Sequence, residues 1–168
     1  YIHWPYCARI CPYCDFNVHL DKRAEEGDQL IAAMVSDLAS WRDWTGERTV
    51  GSIHFGGGTP SLLTGPQLKT LTDTVRALWP SQDAEIALES NPNDVTPARV
   101  QDWTNAGLTR VSLGVQSFDD AVLRRLGRDH DGASARAAVA RAVAAFGSVS
   151  VDLIFGVAGE RDGRIVDD

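Results

Sequence analysis

Apolar positions along the chain fall into two rhythms. Short runs rich in β-branched and aromatic residues recur at Tyr1–Trp4, Val50–Phe55, Ala84–Glu89, Arg110–Gly114 and Val149–Phe155. Each is short and bounded by turn residues, which predicts strands, and their near-continuous apolar character suits strands buried on both faces. Between them, apolar residues recur at helical spacing. Across Ala24–Trp44, the residues Leu30, Ile31, Met34, Leu38 and Trp41 form a stripe along one side of a helix. Thr64-Gly-Pro-Gln67 is a capping-box pattern, continued by Leu68, Leu71, Val75 and Leu78 and closed by Pro80. Thr96-Pro97 places an N-cap before a proline at the first helical position, and Gly107 stands where a glycine ends a helix. Asp119–Leu126 reads as a short helix stopped by Gly127, and Ser134–Phe146 as an Ala-rich helix stopped by Gly147.

The resulting order is β-α-β-α-β-α-β-α-α-β. Strands alternating with helices predict parallel pairing through right-handed crossovers, in either a (β/α) barrel or an open doubly wound sheet. Composition adds exclusions. With 43% apolar and 23% charged residues, usage is that of a globular α/β domain rather than a disordered or fibrous chain. The net charge of −7 and the scatter of the 16 basic residues exclude a nucleic-acid footprint and disfavour anionic lipid. No apolar run approaches the ~20 residues of a membrane span, and no signal-peptide pattern opens the chain, so a soluble domain is expected. The five tryptophans read as core or helix-face packing. Tyr1 opens within a strand, and Arg161–Asp168 stop without a terminating signal, which predicts a domain cut at both ends.

All three cysteines lie in Cys7-Ala-Arg-Ile-Cys11-Pro-Tyr-Cys14, directly after the first strand. An odd count in a chain without a secretory signal argues against a disulfide framework. Three thiolates on one tight loop suit an iron–sulfur cubane held at three irons with the fourth open, the arrangement a catalytic site needs. Zinc with His3 or His19 as fourth ligand, or unrelated buried thiols, remain alternatives.

The second signal is Phe55-Gly-Gly-Gly-Thr-Pro-Ser61 at the end of the second strand. Three glycines in a row let a ligand approach the backbone closely, although a tight turn alone would also use them. It has neither P-loop nor dinucleotide-fold spacing. Polar residues then mark each remaining strand: Glu89 with Asn91-Pro92 after the third, Gln116-Ser117 after the fourth, and Asp152 inside the fifth. Singly, each reads as a solvated strand end, a turn residue or a capping acid. Together they favour a barrel, where all strand C-termini face one mouth. Arg128 and His130 sit in a loop and read as solvated charges, unless Arg128 reaches back to the mouth. His54, inside the second strand, reads as a hydrogen-bonded core histidine.

These strings resemble a known family. The cysteine triplet followed by Gly-Gly-Gly-Thr-Pro resembles the radical S-adenosylmethionine (SAM) superfamily. Tyr1-Ile-His-Trp-Pro, Cys14-Asp-Phe-Asn17, Glu89-Ser-Asn-Pro92, Leu113-Gly-Val-Gln-Ser-Phe118, Leu126-Gly-Arg-Asp-His130 and Asp152-Leu-Ile-Phe-Gly156 are similar to its oxygen-independent coproporphyrinogen III oxidase group, most closely the HemW heme-chaperone branch. The resemblance runs from residue 1 to about residue 156 and implies a TIM-like partial (β/α)6 barrel, of which about five βα units are present in 1–168. It implies a [4Fe–4S] cluster on Cys7, Cys11 and Cys14, with SAM bound at the open iron and cleaved reductively to methionine and a 5′-deoxyadenosyl radical. Tyr1, Tyr13, Gly57, Gly58, Thr59, Glu89, Gln116, Arg128 and Asp152 match the motifs that surround SAM.

The oxidase pattern carries a further cysteine two residues after the triplet, where this chain has Phe16. That substitution favours heme binding and delivery to acceptor proteins over oxidative decarboxylation of coproporphyrinogen III. The chaperones' His-Asn-x-x-Tyr-Trp motif does not occur in these 168 residues. Val157-Ala158-Gly159 departs from the family's Leu-Pro-Gly. The resemblance further implies heme or a porphyrinogen as partner and a reductant of the flavodoxin or ferredoxin type. Free thiolates imply a reducing cytoplasm. It also implies a sixth unit beginning at Arg161–Asp168, which leaves the fifth strand with an open edge.

Overall fold

The structure, a computed structural model, describes residues 1–20 and 24–158. In chain order the elements are β1 (Ile2–Trp4), β2 (Tyr6–Cys7), β3 (His19–Leu20), α1 (Ala24–Thr45), β4 (Ser52–Gly57), α2 (Gly65–Leu78), β5 (Glu85–Ser90), α3 (Pro97–Asn105), β6 (Arg110–Gln116), α4 (Asp120–Arg125), α5 (Gly132–Ala145) and β7 (Ser148–Leu153). One-turn 3-10 segments at Pro60–Leu62 and Pro92–Asp94 follow β4 and β5. The expected helix start at 161–168 lies outside the described residues.

The main sheet runs β1-β4-β5-β6-β7, every pair parallel. Strand neighbours follow chain order, and α1, α2, α3 and α5 pack each against the next. A doubly wound sheet would reverse its strand order and carry helices on both faces. The strands therefore form an arc of a (β/α) barrel, the architecture expected from the polar strand ends.

Burial on both faces holds for parts of the central strands, where Gly56 and Ala87 are buried alongside Phe55, Ile86 and Leu88, but not for the sheet as a whole. β6 alternates, with Val111, Leu113 and Val115 fully buried beneath the helices and Arg110, Ser112, Gly114 and Gln116 only partly covered. Ile2, Trp4, Ile53, Phe55, Ile86 and Leu88 continue the buried face toward α1, α2 and α3. The opposite face bears His3, His54, Glu89, Ser112, Ser150 and Asp152. The apolar runs suggested two buried faces because short residues (Ala87, Gly56, Gly114) interrupt the polar face. An open arc leaves that face to water or ligand.

Local punctuation behaves as predicted. Thr64 forms both halves of a capping box with Gln67, Thr96 accepts from the Arg99 N–H, and Gly107 and Gly127 end α3 and α4 with φ of +86° and +70°. α5 begins two residues before Ser134, because Asp131 is its cap and accepts the Ser134 N–H at 2.7 Å. β4 and β6 each run two residues beyond their expected ends, while β7 stops at Leu153 and leaves Phe155 exposed. The β2–β3 pair went unpredicted, since two-residue strands carry no periodicity. Of the tryptophans, Trp4, Trp79 and Trp103 are buried, but Trp41 and Trp44 are exposed on α1 and pack edge to face.

Candidate functional site

The C-terminal ends of the strands converge on one mouth. Cys7 is buried at the end of β2, while Cys11 and Cys14, both partly exposed, sit on the loop that returns to β3. That loop is held by the Cys14 N–H donating to the Cys11 carbonyl at 3.0 Å and the His19 N–H to the Pro5 carbonyl at 2.7 Å. Pro12 rests on Gly127, where an added Cβ would come within 2.8 Å of its ring.

The glycine run is a cradle, not merely a turn. The Gly58 N–H donates to the Trp4 carbonyl at 2.7 Å and the Thr59 N–H to the Tyr6 carbonyl at 2.8 Å, so this loop ties down the segment that enters the cysteine loop. Gly57 adopts φ +111°, and a Cβ there would meet the His3 ring at 2.5 Å. Its N–H donates to Glu89 Oε2 at 3.2 Å. The other Glu89 oxygen accepts from His54 Nε2 at 2.9 Å, and the His54 ring stacks on Tyr1 with centroids 5.8 Å apart. His54 is thus hydrogen-bonded as expected, but on the polar inner face rather than in the core.

Arg128 is the hub. Its Nη1 donates to Cys11 Sγ and to the Tyr13 hydroxyl, each at 3.3 Å. Its Nη2 donates to Asn91 Oδ1 at 2.6 Å and to the Gly114 carbonyl at 2.8 Å. The buried Nε has no hydrogen-bond partner among the described residues. The solvated-loop reading of Arg128 is therefore wrong: the side chain turns inward and is fixed by the ends of β5 and β6 and by the cysteine loop. Asn91 is a site residue whose role the sequence did not reveal. Besides accepting from Arg128, its Nδ2 reaches Thr59 Oγ1 at 3.5 Å.

Gln116 ends β6 with φ +70°, the one positive φ among the described non-glycine residues. It lies where the β6–β7 register slips, between Leu113 and Gln116. Asp152, on β7, accepts from Ser112 at 3.3 Å; Ser112 in turn accepts from Ser150 at 2.9 Å, and Ser150 from Arg110 at 3.3 Å.

A cavity of about 460 Å³ joins these parts, lined by all three cysteines together with Tyr13, Gly57, Gly58, Thr59, Glu89, Gln116, Arg128 and Asp152. Tyr1 alone of the expected site residues stays outside it, exposed and stacked on His54 at the strand's beginning.

Electrostatics follow burial. Desolvation pushes the Cys7 thiol up, with Cys14 and Cys11 adding and Thr59 and Arg128 opposing. Burial pushes the Tyr13 phenol up to about 12 against the pull of Arg128. Burial also raises the Asp152 carboxyl, Glu89 adding its charge while the Ser112 hydrogen bond opposes. His130 is buried, and desolvation, then the Arg128 charge, hold its imidazole below the usual histidine range. The native state thus keeps His130 neutral while the unfolded chain takes up a proton near ~6.5. Stability should accordingly fall as pH drops below about 6.5, with His130→Gln showing a shallower loss in thermal unfolding between about pH 5 and 8. An unchanged slope would refute the assignment.

Among the described residues, no three His, Cys, Asp or Glu side chains converge closely enough for a single metal ion. His3 instead donates to the Asn17 carbonyl at 3.3 Å, and His19 lies exposed on β3. Three soft sulfur donors around a cavity of this size suit a polynuclear cluster better than one zinc.

The model of the radical SAM superfamily matches residues 1–168. The chain belongs to the radical SAM superfamily. Membership implies a [4Fe–4S] cluster and SAM. This radical SAM chain is 44% identical over 160 residues to the heme chaperone HemW of Escherichia coli, covering 94% of the chain and 42% of that protein. It is 38% identical to HemW of Haemophilus influenzae, over 100% of the chain and 45% of the relative. It is 37% identical to the mouse mitochondrial radical S-adenosyl methionine domain-containing protein 1, over 96% and 37%. The chain thus spans less than half the length of these relatives. Its fold superposes on the E. coli coproporphyrinogen III oxidase HemN, a radical SAM enzyme, with a TM-score of 0.88 at 27% identity, covering 99% of this chain and 39% of that one. The cobalamin-dependent enzyme OxsB shares the fold at a TM-score of 0.57 and 14% identity, over 86% of this chain and 22% of that one. No helix among the described residues is long and apolar enough to cross a membrane.

Proposed function

We propose that this chain is the radical SAM core of a longer heme chaperone of the HemW type, which binds heme and delivers it to acceptor proteins. The observation that carries the reading is the single cavity that gathers three cysteines, the glycine cradle, Glu89 and Arg128. The identity to HemW proteins supports the chaperone branch, as does the exposed Phe16 where the oxidase pattern has a cysteine.

In this reading Cys7, Cys11 and Cys14 hold three irons of the cluster as thiolates. When bound, the cluster and SAM supply reductive cleavage of a sulfonium carbon–sulfur bond. Glu89, oriented by the Gly57 N–H and by His54, would supply a fixed carboxylate complementary to the ammonium group of SAM. Arg128, held in place by Asn91 and Gly114, would supply a fixed positive charge complementary to the SAM carboxylate. Gly57, Gly58 and Thr59 offer close backbone approach. Tyr13, Gln116 and Asp152 close the remaining walls, and Tyr1 braces His54 from outside the cavity. The protein's work is orientation and water exclusion. The free thiols fit a reducing cytoplasm and a reductant of the flavodoxin or ferredoxin type.

A second reading, oxygen-independent coproporphyrinogen III oxidase, draws support from the superposition on HemN. Anaerobic reconstitution of the full-length protein with iron and sulfide is expected to yield about four irons per chain and thiolate-to-iron charge-transfer absorption. Retained zinc with no such absorption would refute the cluster. Incubation with SAM, reductant and coproporphyrinogen III then separates the readings. Heme binding without turnover supports the chaperone, and protoporphyrinogen formation overturns it in favour of the oxidase.

A further inference from the structure

The mechanism leaves a buried histidine unused. His130 is 7% exposed, sits two residues after Arg128, and places Nε2 at 3.0 Å from the Val115 carbonyl. A carbonyl only accepts, so Nε2 carries the proton. The buried Nδ1 has no hydrogen-bond partner among the described residues. Val115 lies inside the β6–β7 register slip and immediately precedes Gln116 at φ +70°. A glutamine in the left-handed region is held there by its surroundings, because its own backbone preference opposes it. The Gln116 carbonyl is already taken by the Ile154 N–H at 2.8 Å, which fixes the far side of the bulge. His130 fixes the near side.

The same loop makes a second, adjacent contact. Arg128 donates to the Gly114 carbonyl at 2.8 Å and His130 to the Val115 carbonyl at 3.0 Å, so successive peptide oxygens of β6 are bonded by side chains two residues apart. Asn93 anchors the segment between them by donating to the Asp129 carbonyl at 3.2 Å. The loop's exit is pinned by the Gly132 N–H on Asp120 at 2.9 Å; a Cβ on Gly132 would strike the Phe118 carbonyl, so the backbones there are in close contact.

We propose that His130 is a positioning residue for the SAM pocket: its Nε2–H clamps the β6 bulge and so sets both the Gln116 backbone and the guanidinium of Arg128. The inference rests on the radical SAM reading of the cavity. His130 does not line the cavity. It acts through Val115 on Gln116 and, through the short Arg128-Asp129-His130 segment, on Arg128. Removing the donor leaves the Val115 carbonyl buried and lets the bulge relax, while the cysteine loop, held by separate hydrogen bonds, keeps its cluster.

The test compares His130→Met and His130→Gln, which have similar volume and differ in the N–H donor. Full-length protein with reconstituted cluster is titrated with SAM by calorimetry, alongside iron content and melting temperature. Wild-type affinity for H130Q and about tenfold weaker binding for H130M, with four irons retained in both, is the expected result. Equal affinity of H130M and wild type overturns the inference. If H130M does not fold, H130Q decides: wild-type SAM affinity supports the clamp, and tenfold weaker binding with a full cluster overturns it. Failure of both to fold overturns it as well, since His130 would then serve the fold rather than the pocket. If the wild type takes up no cluster or binds no SAM, the reading of the cavity itself fails, a result distinct from any variant's.

Discussion

Cys11→Ser should leave the fold standing and empty the site of its cluster. Cys11 lies partly exposed on the loop between β2 and β3, and its sulfur accepts a hydrogen bond from Arg128 at 3.3 Å. A serine oxygen can accept the same bond, and the loop's backbone bonds at Cys14 and His19 do not involve the side chain. The stability change is expected within about 0.5 kcal/mol. The chemistry does not survive the exchange, because a hydroxyl does not ionise at neutral pH and is a hard donor where iron–sulfur clusters take soft thiolates. Iron and sulfide analysis after anaerobic reconstitution should show a collapse from about four irons per chain, with the melting temperature unmoved. A variant that keeps four irons would refute Cys11 as a ligand.

Gly58→Ala carries the second large effect, and it strikes the scaffold. A Cβ at residue 58 would stand 2.6 Å from the Tyr6 carbonyl oxygen, 2.9 Å from its carbon and 3.0 Å from the Trp4 oxygen. All three atoms are backbone, so no rotamer change relieves the contact. Those same oxygens accept from Gly58 and Thr59 at 2.7 and 2.8 Å, and backing away breaks the bonds that dock the cysteine loop. Overpacking of this kind costs roughly 1–3 kcal/mol, and the displaced β2 carries Cys7 with it. Gly51→Ala is the control. Nothing lies within 4 Å of its added Cβ and its φ is not left-handed, so it should be neutral or stabilising by up to ~1 kcal/mol. Urea midpoints of the two variants make the comparison, together with iron retention. Equal midpoints would show that the cradle is looser than the contacts imply.

Most of the element order was legible because its signals are local. The capping box at Thr64–Gln67, the Thr96-Pro97 start and the Gly107 and Gly127 stops act within a turn or two, where propensity and hydrogen bonding compete directly. The cysteine triplet and the glycine run were equally plain, since each places its chemistry in one short segment. His54 was misplaced for the opposite reason. Its partner Glu89 is 35 residues away, and strand alternation says which residues share a face but not which face is covered by helices. Asn91 escaped because an asparagine after a strand looks like any turn residue until Arg128 is seen to reach it. The Gln116 bulge has no signature in one strand alone, since it is a mismatch between two.

The sequence by itself determined the alternation of strands and helices, most of the helix caps and stops, and which donors the molecule owns: three thiols, a glycine cradle and scattered polar strand ends. Only the tertiary structure decided that the sheet curves one way with its polar face inward, that Tyr1 stands outside the cavity, and that Arg128 closes on Cys11 from 117 residues away. The reason is range. Periodicity and capping are energies between neighbours along the chain, whereas the mouth exists only once parallel strands have brought distant ends together and left their carbonyls to be claimed.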